Sequence, residues 1–367
     1  MIRNTIILVL SITGGLIFSS CSQKLVVTQS ARVIDTVYVT NSKIYADTLH
    51  VSDTIVINVQ KYDNPVIRII SADPSVINNN KVFYLYSTES RLFPNVPIYK
   101  SIDLVNWYFV GTAFSDVTRP TSFEGDIWAP DINIVDGKYV LYYSMSKWGG
   151  EWECGIGVAV ADSPTGPFVD TGKLFSSREI NVQNSIDPFF ITDDGKNYLF
   201  WGSHHGIYGI QLTDDGLAIA KGAEVKRIAG NGGEGSYIHK RGEYYYLFLS
   251  HGSCCNGLSS TYTVCVGRSQ SLFGPYLNRN GKSLLEGVGT VLLKGNGFVA
   301  GPGHNAEIIT DEKGEDWLLY HGYLRSNPEL GRLIFLDHLL WVDDWPEMPA
   351  NAPSKSSVIP YFESSRS

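Results

Sequence analysis

SIDPFFITDDGKNYLFWGS, residues 185–203, is the stretch whose reading decides the fold. Asp187-Pro188 opens a short apolar strand, Phe189-Phe190-Ile191, and Asn197 to Trp201 runs back after a turn at Asp193-Asp194-Gly195-Lys196. Asp-Gly between two apolar runs signals a tight hairpin, because the turn needs positive φ and glycine adopts it without strain. The same pattern recurs four more times: Asp73 before Ser75-Val76-Ile77, Asp131 before Ile132 to Val135, Glu234 before Tyr237-Ile238, and His304 before Glu307 to Ile309. Each is followed by a turn and a second apolar run. Copies spaced by roughly 45 to 70 residues indicate the blades of a propeller, each a small sheet around a common axis. The fold class is therefore all-β, a five-bladed β-propeller, and the residue opening each innermost strand faces the axis. Acids at turns also cap strands, which accounts for one or two of these residues but not for a polar group at the same phase in all five.

The domain occupies residues 61–350 in this reading, with a loose polar tail at 351–367. Residues 1–20 form a targeting segment: Arg3 supplies a positive start, and Ile6 to Phe18 is too short to span a bilayer. Phe18-Ser19-Ser20-Cys21 resembles a lipoprotein cleavage site, so the expected mature protein begins at a lipidated Cys21 and is held to the bacterial outer membrane by acyl chains. Residues 21–60 carry Asp-Thr at 35, 47 and 53 within alternating apolar runs, read as an extended tether. Of the five cysteines, Cys154, Cys254, Cys255 and Cys265 remain, in an oxidising compartment. Four cysteines allow three pairings, between which the sequence does not choose.

A net charge of −8 argues against a nucleic-acid partner, whose phosphates would be repelled. Aromatics at 12% suit a sugar, whose C–H faces stack on rings. Asp73, Asp187 and Glu234 stand out chemically. Glycoside hydrolysis needs one carboxyl to protonate the leaving oxygen and another to activate water or attack carbon. A third carboxylate nearby can raise the acid's pKa by like-charge repulsion. Clustered acids also read as a calcium site, but these lie far apart in sequence and form no compact ligand loop.

Five motifs carry a family resemblance: ADPSV at Ala72, WAPDI at Trp128, SIDPFF at Ser185, GGEGSYI at Gly232 and GPGHN at Gly301. In order and spacing they are similar to those of the family 43 glycoside hydrolases, five-bladed propellers acting on arabinose- and xylose-containing glycans. The resemblance implies inversion, with Asp73 as general base, Asp187 as the acid that tunes pKa and orientation, and Glu234 as general acid. It also implies that His304 faces a calcium or other ion, largely through water. HGSCCNGLSSTYTVCVGRS at His251, YHGY at Tyr320 and GRLIFLDHLLWVDDWP at Gly331 resemble the arabinan-degrading branch. That implies hydrolysis of α-1,5-linked L-arabinan, internal bonds preferred, by a monomer. The alternatives are an exo-acting α-L-arabinofuranosidase or β-xylosidase, or a glycan-binding lipoprotein without catalysis. Two stretches depart from the family: Glu234-Gly235-Ser236, where alanine and then proline usually follow the acid, and GSHHGI at Gly202, where an aromatic is more usual than His204-His205.

Trp128 is a candidate to stack on a furanose ring, or a core tryptophan between blades. Asn184 and Ser185, bordering Asp187, are candidates to hydrogen-bond sugar hydroxyls. Asp131 shares the phase of the three acids but is expected to be mostly structural.

Overall fold

Asp194 and Gly195 both adopt positive φ, 47° and 72°, so a two-residue turn closes Asp193 against Lys196. Asp136-Gly137 and Asn80-Lys81 do the same for their hairpins. The computed structural model describes residues 60–363 together with the backbone of four earlier strands. The chain divides into two units, Met1–Lys61 and Tyr62–Ser367.

The second unit contains the propeller. Blade 1 is Ser75–Asn79, Val82–Tyr86, Pro97–Ser101 and Tyr108–Thr112; blade 2 is Asp126–Val135, Lys138–Ser146, Gly155–Ala161 and Val169–Ser176. Blade 3 is Phe189–Asp193, Lys196–Trp201, Ile207–Gln211 and Lys226–Ala229; blade 4 is Gly233–Arg241, Tyr244–His251, Thr263–Ser269 and Thr290–Lys294. Blade 5 pairs Val299–Gly303 and Ile309–Thr310 with Asp316–Leu324, followed by Arg332–Val342 and Trp345–Glu347. Every pairing is antiparallel, as expected when each strand returns through a short turn. The apolar cores lie between neighbouring blades. Phe190, Leu199 and Trp201 of blade 3 pack with Tyr142 and Val158 of blade 2, and Leu85 of blade 1 with Leu319 and Leu336 of blade 5. A middle strand such as Lys138–Ser146 is consequently buried on both faces from Tyr139 onward.

The ring closes through both ends of this unit. Val66 N–H donates to Ile334 O at 2.8 Å and Ser71 N–H to Arg332 O at 2.8 Å, so the entering segment lies along blade 5. At the other end Phe362 is buried against Phe83 of blade 1, ring centroids 4.9 Å apart. This corrects the expectation of a loose tail after residue 350: Phe362 in the core anchors it, with Asn64 N–H donating to Lys355 O at 2.9 Å and Tyr361 N–H to Asp311 Oδ2 at 3.0 Å.

In the first unit Ala31–Thr40 pairs with Lys43–Val51, and Lys24–Val26 with Val56–Asn58. The backbone doubles back instead of running as one extended tether, because the alternating strands find each other. The targeting segment 1–20 and Cys21 lie outside the described residues.

Candidate active site

At the head of every innermost strand one residue takes left-handed backbone: Asp73 (φ 53°), Ala129 (41°), Asp187 (60°), Gly235 (58°) and His304 (45°). These kinks break the ladder, with register shifts at Trp128/Asp131, Glu234/Tyr237 and Ala300/Gly303. They aim the neighbouring side chains at the axis. They also correct the phase read from sequence. In blade 2 the equivalent of Asp73 and Asp187 is Ala129, and Asp131 lies two residues deeper.

There Asp131 holds blades together. Its Oδ2 accepts from Phe190 N–H of blade 3 at 2.8 Å, and burial with the nearby Glu307 raises its pKa well above the usual carboxyl range. Glu307 of blade 5 accepts from Ser75 Oγ at 2.7 Å and Val76 N–H at 2.6 Å in blade 1. Asp131 and Glu307 therefore pin four blades beneath the site.

Asp73, Asp187 and Glu234 line one cleft of about 320 Å³, the size of a small-ligand pocket. Thr88 Oγ1 donates to Asp73 Oδ2 at 2.6 Å, and Arg332 Nη1 stands 3.1 Å from Oδ1. Burial alone would raise Asp73, but the Arg332 guanidinium, with His304 beside it, outweighs burial and holds the carboxyl well below its usual range. His321 Nδ1 lies 3.1 Å from both the backbone nitrogen and Oδ1 of Asp73. Burial lowers His321 to about 4, so the ring is neutral and Nδ1 serves only one of the two. A backbone N–H always donates, so Nδ1 accepts from it. The charge on Asp73 is accordingly balanced by Arg332 rather than by His321.

Asp187 is in the opposite condition. Burial raises its carboxyl, and the charges of Glu234 and Asp73 raise it further. Its backbone N–H donates to Ser144 Oγ at 2.9 Å, and its Oδ2 accepts from Gly235 N–H at 3.1 Å, next to Glu234. Glu234 Oε2 accepts from Ser203 Oγ at 2.6 Å and lies 3.3 Å from His204 Nε2. Tyr262 completes this side, its hydroxyl partnered with Glu234. Burial and the three carboxylates push its phenol well above its ordinary value, so it remains a donor. Gly235 has a steric reason: a Cβ there would come within 3.0 Å of His304 Nδ1.

Trp128 lines the cleft and leans on Trp148 of the following loop, ring centroids 5.7 Å apart. Trp148 is 79% exposed. Asn184 also lines the cleft. Ser185 is a correction: it is fully buried, its Oγ donates to Val182 O at 2.8 Å and accepts from Trp201 Nε1 at 3.1 Å, and it braces the wall without reaching a sugar. His304 Nδ1 sits 3.3 Å from Asp73 Oδ1. Cys254 and Cys255 line the cleft and are bonded to each other, whereas Cys154 and Cys265 are free and buried.

The residues that sequence reasoning did not single out are Thr88, Ser144, Ser203, Arg332, His321, Tyr262 and Trp148. Arg332, His321 and Tyr262 stand inside stretches that carry the family resemblance, and Trp148 follows an apolar strand as an isolated aromatic before two glycines.

The family model of glycosyl hydrolases family 43 matches residues 62–346. The chain is 36% identical over 306 residues to the extracellular exo-alpha-(1->5)-L-arabinofuranosidase ArbA of Cellvibrio japonicus, spanning 75% of this chain and 85% of that one. It is 35% identical over 290 residues to extracellular endo-alpha-(1->5)-L-arabinanase 1 of Bacillus subtilis, spanning 75% and 86%. Among solved structures, the alpha-L-arabinanase of Cellvibrio cellulosa complexed with arabinohexaose superposes with a TM-score of 0.69 at 33% identity, covering 77% of this chain and 96% of that one. The endo-arabinanase of Bacillus licheniformis gives 0.67 at 30% identity, covering 78% and 99%.

Proposed function

The chain belongs to the glycosyl hydrolases of family 43, and from that premise we propose that it hydrolyses α-1,5-linked L-arabinan, internal bonds preferred, with inversion. Glu234 gives its proton to the glycosidic oxygen as the bond to the anomeric carbon breaks. Asp73 takes a proton from a water whose oxygen attacks that carbon from the opposite face. Solvent then restores the proton on Glu234 and removes the one on Asp73. Asp187 holds the Gly235 amide and thereby the Glu234 backbone. The carrying observation is that Asp73, Asp187 and Glu234, remote from one another in sequence, line one cleft, with Arg332 against Asp73 and Asp187 bonded to the amide next to Glu234.

A mixture of oligosaccharides from linear arabinan within the first minutes, with inverted anomeric configuration by NMR, is the expected result. Arabinose alone from the start would favour the exo reading, which the 36% identity to an exo-acting relative keeps in view. No hydrolysis across arabinan, xylan and aryl glycosides would favour a binding protein.

Calcium or another ion near His304 belongs to the same reading. Among the described residues no group of three or more His, Cys, Asp or Glu gathers to hold a metal directly. Ser236 Oγ and Asn305 Oδ1, adjoining Gly235 and His304, are buried without a partner and fit an ion held largely through water. Such an ion would supply positive field at the base of the cleft. Thorough chelation should lower turnover and calcium restore it; an unchanged rate would count against the ion. We also assign the protein, as its extracellular relatives suggest, to export, with a lipid on Cys21 holding a monomer at the outer membrane. Mass spectrometry of the mature amino terminus tests the anchor.

A further inference from the structure

The loop from Gly252 to Tyr262, between the second and third strands of blade 4, is held firmly by its own bonds. Ser253 N–H donates to Thr261 Oγ1 at 3.1 Å, Thr261 N–H returns to Ser253 O at 3.1 Å, and Asn256 N–H donates to Ser260 Oγ at 2.9 Å. Gly252, at φ 95°, has no room for a Cβ, which would meet Thr261 O at 2.7 Å. What this frame displays is the Cys254–Cys255 disulfide. Cys255 is exposed, Cys254 half-buried, and both line the cleft that holds Glu234.

Stability does not explain the bond. A disulfide stabilises mainly by closing a chain loop in the unfolded state, and a link between adjacent residues closes almost none. Nor does it fill the core, since it faces the cleft. It supplies a small, rigid, polarisable surface without strong hydrogen-bonding groups, in a cleft that also holds the carboxyls, two imidazoles and a guanidinium. Trp128 and Trp148 present a further apolar surface, from blade 2, a non-neighbouring blade.

We propose that the Cys254–Cys255 disulfide is a sugar-contacting surface, against which the C–H face of a furanosyl unit close to the cleaved bond packs. This rests on the arabinan reading above. The bond fixes the loop and positions the substrate, and takes no part in proton transfer. Reduction turns a flat apolar ledge into two separate, mobile thiols and weakens the hold on substrate.

The experiment measures kcat and KM on linear α-1,5-arabino-oligosaccharides for three samples: the intact protein, the Cys254→Ser/Cys255→Ser double variant, and intact protein treated with a phosphine, which becomes its oxide by taking oxygen from water as the disulfide becomes two thiols. The buried Cys154 and Cys265 are already free, so the appearance of two new thiols identifies this bond. KM should rise about 3- to 10-fold with kcat within about twofold, and reoxidation should restore it. An unchanged KM after full reduction overturns the proposal, as does a fall in kcat alone. Should the double variant fail to fold, the reduction arm decides. If the intact protein neither cleaves nor binds these oligosaccharides, the substrate reading fails and takes the proposal with it, an outcome visible before any cysteine is changed.

Discussion

The heads of blades 1 and 3 begin with the same pair, Asp73-Pro74 and Asp187-Pro188, on the same left-handed backbone, yet they hold their carboxyls in opposite states. Both side chains are nearly buried. Burial pushes each toward its neutral form. The difference is a cation: Arg332 of blade 5 stands against Asp73, whereas Asp187 faces Glu234 and Asp73 itself. The same Asp-Pro pair thus holds a lowered carboxyl at one position and a raised one at the other, because the deciding charge arrives from far along the chain.

The widest gap should appear on removing the acid or the base. Glu234→Ala or Asp73→Ala is expected to cost roughly 10³- to 10⁴-fold in kcat with little loss of sugar binding. Steady-state kinetics with calorimetric titration checks this, and near-normal turnover would erase the contrast between the two aspartates.

Asp187→Asn separates stability from activity. A carboxyl raised in the folded state binds a proton more readily than in the unfolded chain, so Asp187 lowers stability progressively as pH rises above the ordinary aspartate value of about 4. The amide keeps the shape without that cost. Turnover should fall about 10- to 100-fold while the urea midpoint at pH 7 rises; a lower midpoint would contradict the assigned state of Asp187.

Arg332→Gln tests blade 1 directly. Asp73, depressed in the folded protein, contributes stability that is present above about pH 4 and lost as pH falls through its folded value. Without the guanidinium its pKa rises, so the acid limb of kcat/KM should move up by about one pH unit or more. An unmoved limb would mean that another group governs it.

The smallest effect belongs to Ser185→Ala. Loss of two buried hydrogen bonds should cost about 1–2 kcal/mol in denaturant unfolding and leave KM unchanged. A raised KM would return Ser185 to the sugar-binding wall.

These contrasts show where sequence reading succeeds. Asp194-Gly195 and Asp136-Gly137 need positive φ locally, so the hairpins and their repeat are legible, and with them the heads of the blades. The phase at Asp131 is misread because an alanine stands where blades 1 and 3 carry an acid; only Pro130, aligned with Pro74 and Pro188, marks the position. The role of Arg332 is hidden because its partner lies 259 positions away. Ser185 looks like a ligand-binding neighbour of Asp187 until Trp201 is seen to occupy it. The cysteine pairing stays open in the sequence because only the folded backbone brings two adjacent thiols together in the cleft.

Closing the ring also has a temporal meaning. Arg332, which neutralises Asp73, sits on the strand that binds the entering segment at Ser71. A nascent or truncated chain ending before that strand already contains all three acids but lacks the guanidinium beside the first. The strand that places Arg332 beside Asp73 is therefore made after the stretches that carry all three acids.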